Sequence, residues 1–188
     1  MVEQLLDKRE GVGSNPTLST KQQRGDKMEN TKFDYSVIKQ EIKESSLSTA
    51  IYVGVDSKCF TKRGVRYVAF ATAIVLHYDQ SRGAKLFKEI TIERDYGSIR
   101  QRLMQEVYMA GNCGMEIAED VGDERPFEIH LDINPDTRYK SSMCVKEATG
   151  YILGTMGIKP KLKPDAFVAS AVSDNWAVKT AEKHKRRR

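Results

Sequence analysis

The 188-residue sequence has little cysteine and no long apolar run. Its three cysteines are an odd number without a C-x-x-C pair, which predicts reduced thiols and excludes a disulfide framework or a cysteine zinc site. The three histidines show no metal-ligand spacing. No apolar run approaches the roughly 20 residues that span a bilayer, and the N-terminus lacks the pattern of a secretory signal. We therefore expect a cytoplasmic protein.

Excess charge of one sign is confined to the C-terminus. The net charge is +5, with 31 basic and 26 acidic residues. Residues 179–188 hold six of the basic residues and one of the acidic ones, which leaves 25 of each sign elsewhere. This basic tail could bind phosphate backbones without sequence preference, or it could be a solvated, frayed terminus. Both interpretations stay open.

Residues 1–27 lack the periodic apolar positions of the rest of the chain and are predicted to be disordered. Their string GSNP is also what a ribosome would read from GGT-TCG-AAT-CC, the T-arm of a transfer-RNA gene. The string RGDK before Met28 can be encoded by a purine-rich ribosome-binding site. We hypothesise that natural translation begins at Met28, downstream of a transfer-RNA gene in a bacterium or bacteriophage. Residues 28–188 then form a single domain.

Hydrophobic periodicity predicts an order of helices and strands. The predicted elements are a helix over about 34–46, strands over 51–57, 65–78 and 84–95, a helix over about 98–120, a strand over 127–133, a helix over about 139–156, a short strand over 160–164 and a final helix. Tight turns between the first three strands indicate an antiparallel meander, and strands that alternate with helices join such a sheet in parallel. The sequence therefore predicts an α/β protein with a mixed five-stranded sheet between helices.

Four carboxylates lie in otherwise apolar elements. Asp56 ends the first strand and Asp132 lies near the end of the fourth, and sites in α/β sheets gather at the carboxyl ends of strands. Glu106 lies along the apolar stripe of the long helix, and Asp174 lies in the last helix. Crowded carboxylates repel one another unless cations neutralise them, and oxygen-only ligands favour Mg²⁺ or Mn²⁺. Two such ions roughly 4 Å apart can clamp the attacking and leaving oxygens of a phosphodiester.

Each carboxylate also has a purely structural interpretation. Aspartates at strand ends are often turn residues or caps, which applies to Asp56 and Asp132. Glu106 could pair with a lysine at the edge of its helix, and Asp174 could be an ordinary surface residue. The four together, in this order of elements, indicate a site more strongly than any one of them.

The neighbours of the two strand aspartates allow further interpretations. Gly54 and Ser57, close to Asp56, are small enough to leave room for ions and a phosphate. His130 lies two residues before Asp132 and could assist proton transfer, or it could be a hydrogen-bonded histidine of the sheet.

Three stretches of the sequence resemble the YkuK-like family of predicted ribonuclease H-like nucleases from bacteria and phages. They are VGVDSK (53–58), HLDINPDTRYKSS (130–142) and MGIKPKLKPDAFVASAVSDNW (156–176), within a resemblance over about residues 50–179. The resemblance implies a ribonuclease H-like sheet of three antiparallel strands followed by two parallel ones, with an extra N-terminal helix.

The same resemblance implies that the carboxylates are the catalytic, metal-binding residues of a nuclease. The residues that match the family's acidic positions are Asp56, Glu106, Asp132 and Asp174. Glu116 and Glu119 are alternatives to Glu106, and Asp165 is an alternative to Asp174.

Basic residues flank the predicted acidic centre and could contact phosphates. The candidate nucleic-acid-binding residues are Lys58, Lys62, Arg63, Arg138, Lys140, Lys161 and Lys163. Alternating lysines also discourage aggregation at an edge strand, which is the structural alternative for the last two. Tyr139 and Trp176 could stack on bases, although the single tryptophan also suits the core.

These observations predict a metal-dependent enzyme that hydrolyses phosphodiesters in RNA, DNA or a hybrid, with Mg²⁺ or Mn²⁺ as cofactor. One alternative is a non-catalytic module on the same fold that binds nucleic acid. Another is a module, such as one encoded by a phage, that binds a host protein complex. No membrane partner is predicted, and we expect the cytoplasm of a bacterial cell or a phage-infected host.

Overall fold

A computed structural model of the chain describes residues 30–95 and 97–186, apart from the side chains of residues 171, 172 and 186. The predictions made for residues 1–27 and for the last two residues of the basic tail lie outside the described part of the chain.

The sheet of the described residues contains four strands. They are β1 (Ala50–Lys62), β2 (Val65–His77), β3 (Ala84–Arg94) and β4 (Phe127–Leu131), in the spatial order β3-β2-β1-β4. β1 pairs antiparallel with β2, and β2 pairs antiparallel with β3, whereas β4 runs parallel to β1. The predicted meander and the mixed character of the sheet are confirmed. β1 extends well past its predicted end because the hairpin to β2 stays paired up to Lys62 and Val65.

The predicted fifth strand over 160–164 is only a single parallel bridge to β4, so the prediction of five strands in a three-plus-two arrangement is wrong for the described residues. The N–H of Lys163 donates to the carbonyl of Ile133 (3.0 Å). The N–H of Ile133, however, donates to the carbonyl of Leu131 in its own segment (2.8 Å) and not to the carbonyl of Lys163. A regular ladder needs this reciprocal bond and therefore stops here.

Helices cover both faces of the sheet. They are α1 (Tyr35–Glu44), α2 (Ile99–Val121), α3 (Val145–Met156), a π-helix (Val168–Ser173) and α4 (Asp174–Arg186), with short 3₁₀ turns at Tyr78–Gln80 and Lys140–Cys144. α2 begins with a capping box, in which Ser98 and Gln101 satisfy each other's backbone N–H groups. α4 carries the basic tail as a helix as far as Arg186.

The alternation of β1 assigns its side chains to two different cores. Ile51, Val53 and Val55 pack in the large core with α1, α2 and α3. The residues between them face the π-helix and α4, where Tyr52 packs against Val168. Among the described residues no helix is both long and apolar enough to cross a membrane. The three cysteines are free thiols, as predicted.

Candidate functional site

The parallel register of β1 and β4 brings two of the predicted aspartates side by side. The last paired residues are Val55 and Leu131. One further step in the same register places Asp132 beside Asp56, and neighbouring strands lie roughly 4.8 Å apart. β4 ends at this point while β1 continues along β2, with Asp56 opposite Ala71. The two carboxylates therefore lie at the end of a strand pair, which is where the sequence predicts the site.

The third aspartate, Asp174, reaches this face because the π-helix crosses β1 at very close range. A Cβ atom on Gly54 would lie 2.6 Å from the backbone nitrogen of Ala169, closer than any side chain tolerates. The hydroxyl of Ser173 donates to the carbonyl of Gly54 (3.1 Å) and fixes the end of the π-helix on the strand. Asp174 follows directly as the first residue of α4. The space left by Gly54 is therefore filled by a helix and not by ions or phosphate, contrary to the prediction.

The environment of Asp56 disfavours its charged form, through burial and through two acidic neighbours. Burial raises the pKa of Asp56 to about 7, and the charge of Asp132 and the charge and hydrogen-bonding contact of Asp174 add to the effect. The backbone N–H of Ser57 acts in the opposite direction. Asp56 is only 8 % exposed, so water does little to stabilise its charge. The site therefore contains more negative charge than its surroundings neutralise.

Glu106 approaches the same place from the other face of the sheet. Its carboxylate accepts a hydrogen bond from the Ser57 hydroxyl (2.6 Å), and Ser57 points toward α2 because it follows Asp56 along the strand. Burial and the charge of Asp56 raise the pKa of Glu106 well above its usual range, although Ser57 and Arg102 oppose the shift. Glu106 thus interacts electrostatically with the aspartates, but its direct partner is a serine of β1.

The alternatives to these carboxylates lie elsewhere. Glu116 and Glu119 are exposed, and Glu116 forms an ion pair with Lys39 (2.8 Å). Glu116 lies ten residues beyond Glu106 on α2, which is about 15 Å along a helix. Asp165 is exposed and is not among the charges that shift the pKa of Asp56. The structure therefore groups Asp56, Glu106, Asp132 and Asp174 and leaves the three alternatives outside the group.

One basic residue of the predicted set lies among the carboxylates. The ammonium nitrogen of Lys163 is 2.7 Å from Asp132 Oδ1. This oxygen is inaccessible to solvent and makes no well-aligned hydrogen bond to any residue that the structure describes. Lys163 is therefore its charge partner. Partial burial acts to lower the pKa of Lys163, but the contact with Asp132 and the charges of Asp132, Asp56 and Asp174 raise it above its ordinary value.

The other predicted phosphate contacts differ in how accessible they are. Lys58 and Lys140 are exposed, and so are Arg63 and Lys161. Lys161 lies 3.8 Å from Glu128, and Arg138 is held by a bidentate pair with Asp136 whose shorter Nε contact is 2.9 Å. Lys62 is only 8 % exposed, so its charge is not presented to solvent.

His130 has a structural role. Its side chain is fully buried, with Nε2 3.0 Å from Glu128, and Nδ1 accepts a hydrogen bond from the backbone N–H of Val168 (3.2 Å). Both ring nitrogens are thus engaged, Nε2 with Glu128 of the same strand and Nδ1 with the start of the π-helix, and burial lowers the pKa of the ring. This geometry does not favour proton transfer between His130 and Asp132, because both ring nitrogens already have partners. No local sequence pattern could have revealed a bond between residues 38 positions apart.

Sequence reasoning also missed Arg102. Its guanidinium donates to the hydroxyl of Ser57 (2.7 Å) and lies 3.4 Å from Glu106 Oε1. The spacing of four residues between Arg102 and Glu106 is the ordinary signal for such a pair on a helix, so it could have been predicted. Trp176 lies in α4 and has the ammonium groups of Lys88 and Lys179 over its ring, so it is not a free platform for a base.

The donor set suits a hard divalent cation, although the side chains are not arranged around one. Among the described residues, no three His, Cys, Asp or Glu side chains form a group that could hold a metal ion as they stand. Asp56, Asp132 and Asp174 nevertheless offer only oxygen ligands, which Mg²⁺ and Mn²⁺ prefer. The raised pKa of Asp56 shows that added positive charge would be favourable there. The three aspartates therefore fit a divalent ion by their chemistry.

Comparison with known proteins agrees with the fold. A family model described as ribonuclease H-like matches residues 35–177. Among curated proteins, "Uncharacterized protein YkuK" of Bacillus subtilis (strain 168) is 26% identical over 148 residues, which cover 71% of this chain and 82% of that protein. No solved structure gives a significant match. The match spans the whole sheet and every predicted acidic position, and the chain belongs to the ribonuclease H-like family, in the group that includes YkuK.

Proposed function

We propose that the protein is a nuclease that hydrolyses phosphodiester bonds with the help of Mg²⁺ or Mn²⁺. The observation that carries this proposal is the convergence of Asp56, Asp132 and Asp174 at the end of the parallel strand pair, on a fold associated with action on nucleic acids. Three separate elements deliver these aspartates to one place. Structural stability alone gives no reason to bury uncompensated negative charge, because that costs free energy.

The chain's own residues have distinct roles in this proposal. Asp56, Asp132 and Asp174 would hold the divalent cation, which when bound polarises the phosphate and lowers the pKa of a water molecule. Glu106 supports the site from the opposite face of the sheet, because its bond to Ser57 fixes the residue that follows Asp56.

The nucleic acid would lie across the exposed basic residues beside the aspartates. Lys58 lies two residues after Asp56 on the same face of β1, about 7 Å along the strand. A groove lined by Lys159, Lys161 and Lys163 runs along the edge of β4 on the other side of the site. The exposed Lys58, Lys159 and Lys161 would contact the phosphate backbone and orient it without reading its sequence, while Lys163 stays paired with Asp132.

A cleavage panel tests the proposal. Labelled single-stranded RNA, single-stranded DNA, both duplexes and the hybrid are incubated with the protein and Mg²⁺ or Mn²⁺. We expect metal-dependent cleavage of at least one substrate, and a loss of roughly a hundredfold or more in Asp56→Asn and Asp132→Asn, since each substitution removes a charge that acts on the reacting groups.

Asp165→Asn is the matched control, because it removes an exposed aspartate from the same basic segment. It should cleave like the wild type. Undiminished cleavage by Asp56→Asn would refute the assignment of the site. Binding of the labelled substrates without cleavage under every condition would favour the non-catalytic nucleic-acid-binding module instead.

A further inference from the structure

The position of Lys163 has a consequence for the number of ions that the site binds, provided that the proposed function is correct. Its ammonium nitrogen lies 2.7 Å from Asp132 Oδ1, the oxygen that a metal ion at Asp132 would also need. The side chain of Asp132 is 20% exposed and that of Lys163 is 36% exposed, so the pair is at the edge of the site and not on open surface.

Backbone hydrogen bonds fix the segment that carries Lys163 to β4 and to Ile133, two residues after β4, so this contact is more than a chance meeting of surface side chains. The N–H of Lys161 donates to Ile129 (2.8 Å), and the carbonyl of Lys161 accepts from Leu131 (2.9 Å). Two residues later the N–H of Lys163 donates to Ile133 (3.0 Å). The bridge between Lys161 and His130, together with the bond from Lys163 to Ile133, keeps this segment close to Asp132, where the ammonium group of Lys163 reaches its carboxylate.

Charge balance indicates what this lysine does. Three aspartates of the site, Asp56, Asp132 and Asp174, lie on the same face of the sheet, while Glu106 is bonded to Ser57 on the other face. One divalent ion together with one ammonium neutralises three carboxylates. Two divalent ions together with the ammonium would leave an excess of positive charge, and like charges within a few ångströms repel strongly at low dielectric.

We propose that Lys163 is a built-in cation of the carboxylate site, which takes the place of a second metal ion beside Asp132 and leaves room for one divalent ion. This differs from the two-ion arrangement expected from the carboxylates alone. It also gives Lys163 a role that Lys161 does not share, since the nearest carboxylate of Lys161 is Glu128, 3.8 Å away and outside the aspartate group.

The number of Mn²⁺ ions bound by the full chain tests this inference without any measurement of cleavage. Free Mn²⁺ gives an electron paramagnetic resonance signal that bound Mn²⁺ loses, so a titration yields the stoichiometry directly. We expect one ion per chain for the wild type and two for Lys163→Met, in which Asp132 is released. Lys161→Met, the matched control in the same segment, should bind one ion, and so should Lys163→Arg, which keeps the charge.

Two ions bound by the wild type would overturn the inference, and this result needs no variant that might misfold. One ion bound by a folded Lys163→Met would overturn it as well. Failure of the wild type and of every variant to bind Mn²⁺ would instead refute the proposed metal site, and the inference would fall with it. The two proposals therefore fail in distinguishable ways.

Discussion

At the scale of single residues, the segment VGVDSK (53–58) shows what a sequence pattern can and cannot reveal. The position of Asp56 at the end of a buried run made it a candidate site residue, because burying an unpartnered carboxylate is costly, but only together with the other carboxylates did it predict a site. The role of Gly54 could not be predicted. Its partner is the π-helix, whose residue Ser173 lies 119 positions further along the chain. A glycine in a strand indicates that another segment or a ligand approaches closely, but it does not identify which one.

The close approach at Gly54 leads to a prediction about stability. Gly54→Ala should lower the free energy of unfolding by about 1–3 kcal/mol, because the new Cβ would collide with the backbone of Ala169 and not with a flexible side chain. Urea unfolding measures the difference. Gly150→Ala is the control, since that exposed helical glycine has open space around it and should gain up to about 1 kcal/mol. Equal stability of Gly54→Ala and wild type would contradict the packing described for the π-helix.

At the scale of elements, local signals predicted the regular helices and strands but not their irregular parts. The capping box at Ser98 and the tight turns between the first three strands are short-range patterns, and the antiparallel meander that the turns predict is confirmed. The π-helix and the reduced fifth strand depend on distant partners. The π-helix is held at its start by His130, through the N–H of Val168, and at its end by Gly54, through Ser173. Such attachments cannot be inferred from the segment's own sequence.

The attachment of the π-helix predicts different effects for two of its serines. Ser173→Ala removes the buried bond to Gly54 and should cost about 1–2 kcal/mol of stability. It should also weaken Mn²⁺ binding several-fold, because Asp174 is the next residue. Ser170→Ala removes only a bond to the carbonyl of Ala166, a local contact four residues earlier and just before the π-helix, and should be nearly neutral in both measurements. Urea unfolding and Mn²⁺ titration of the two variants provide the comparison, and identical Mn²⁺ affinities would show that Ser173 does not position Asp174.

At the scale of the whole molecule, the sequence was sufficient for the family and for the general architecture. The order of elements and the three matching stretches indicated a ribonuclease H-like fold, and the family match over residues 35–177 confirms it. The strand count was overestimated because a run such as PKLKP has the composition of an edge strand. Whether such a run forms a full ladder depends on hydrogen bonds from Ile133, a residue of another segment.

The acidic site also predicts how the stability of the metal-free protein depends on pH. Folding raises the pKa of Asp56 from an ordinary value of 3.8 to about 7. Between these two pH values the folded protein keeps a proton on Asp56 that the unfolded chain has already lost. The contribution of Asp56 to the free energy of unfolding is fully present below about pH 4 and is lost as the pH rises through 7, by an amount on the order of 4 kcal/mol. Asp56→Asn removes this dependence, because an amide does not titrate.

Urea unfolding at pH 5 and pH 8, with a chelator present, measures the difference between wild type and Asp56→Asn. Asp56→Asn should have the larger free energy of unfolding at pH 8. The difference from the wild type should be smaller at pH 5, where the wild-type carboxyl is protonated. The other titrating groups near Asp56, namely Glu106, Asp132, Asp174 and Lys163, are present in both proteins, so most of their contribution cancels in the comparison. Identical pH profiles would show that Asp56 is not crowded by negative charge.

Replacing the chelator with Mn²⁺ then connects this stability to the proposed function. An ion that binds only the folded state at a hundred times its dissociation constant adds about 2.7 kcal/mol. At pH 8 this gain should offset most of the wild-type loss, because the ion supplies the positive charge that the carboxylates lack. Asp56→Asn should gain much less, since its amide is a weaker ligand and carries no charge. A similar Mn²⁺ gain in both proteins would mean that the ion binds elsewhere, even if the pH profiles behave as expected.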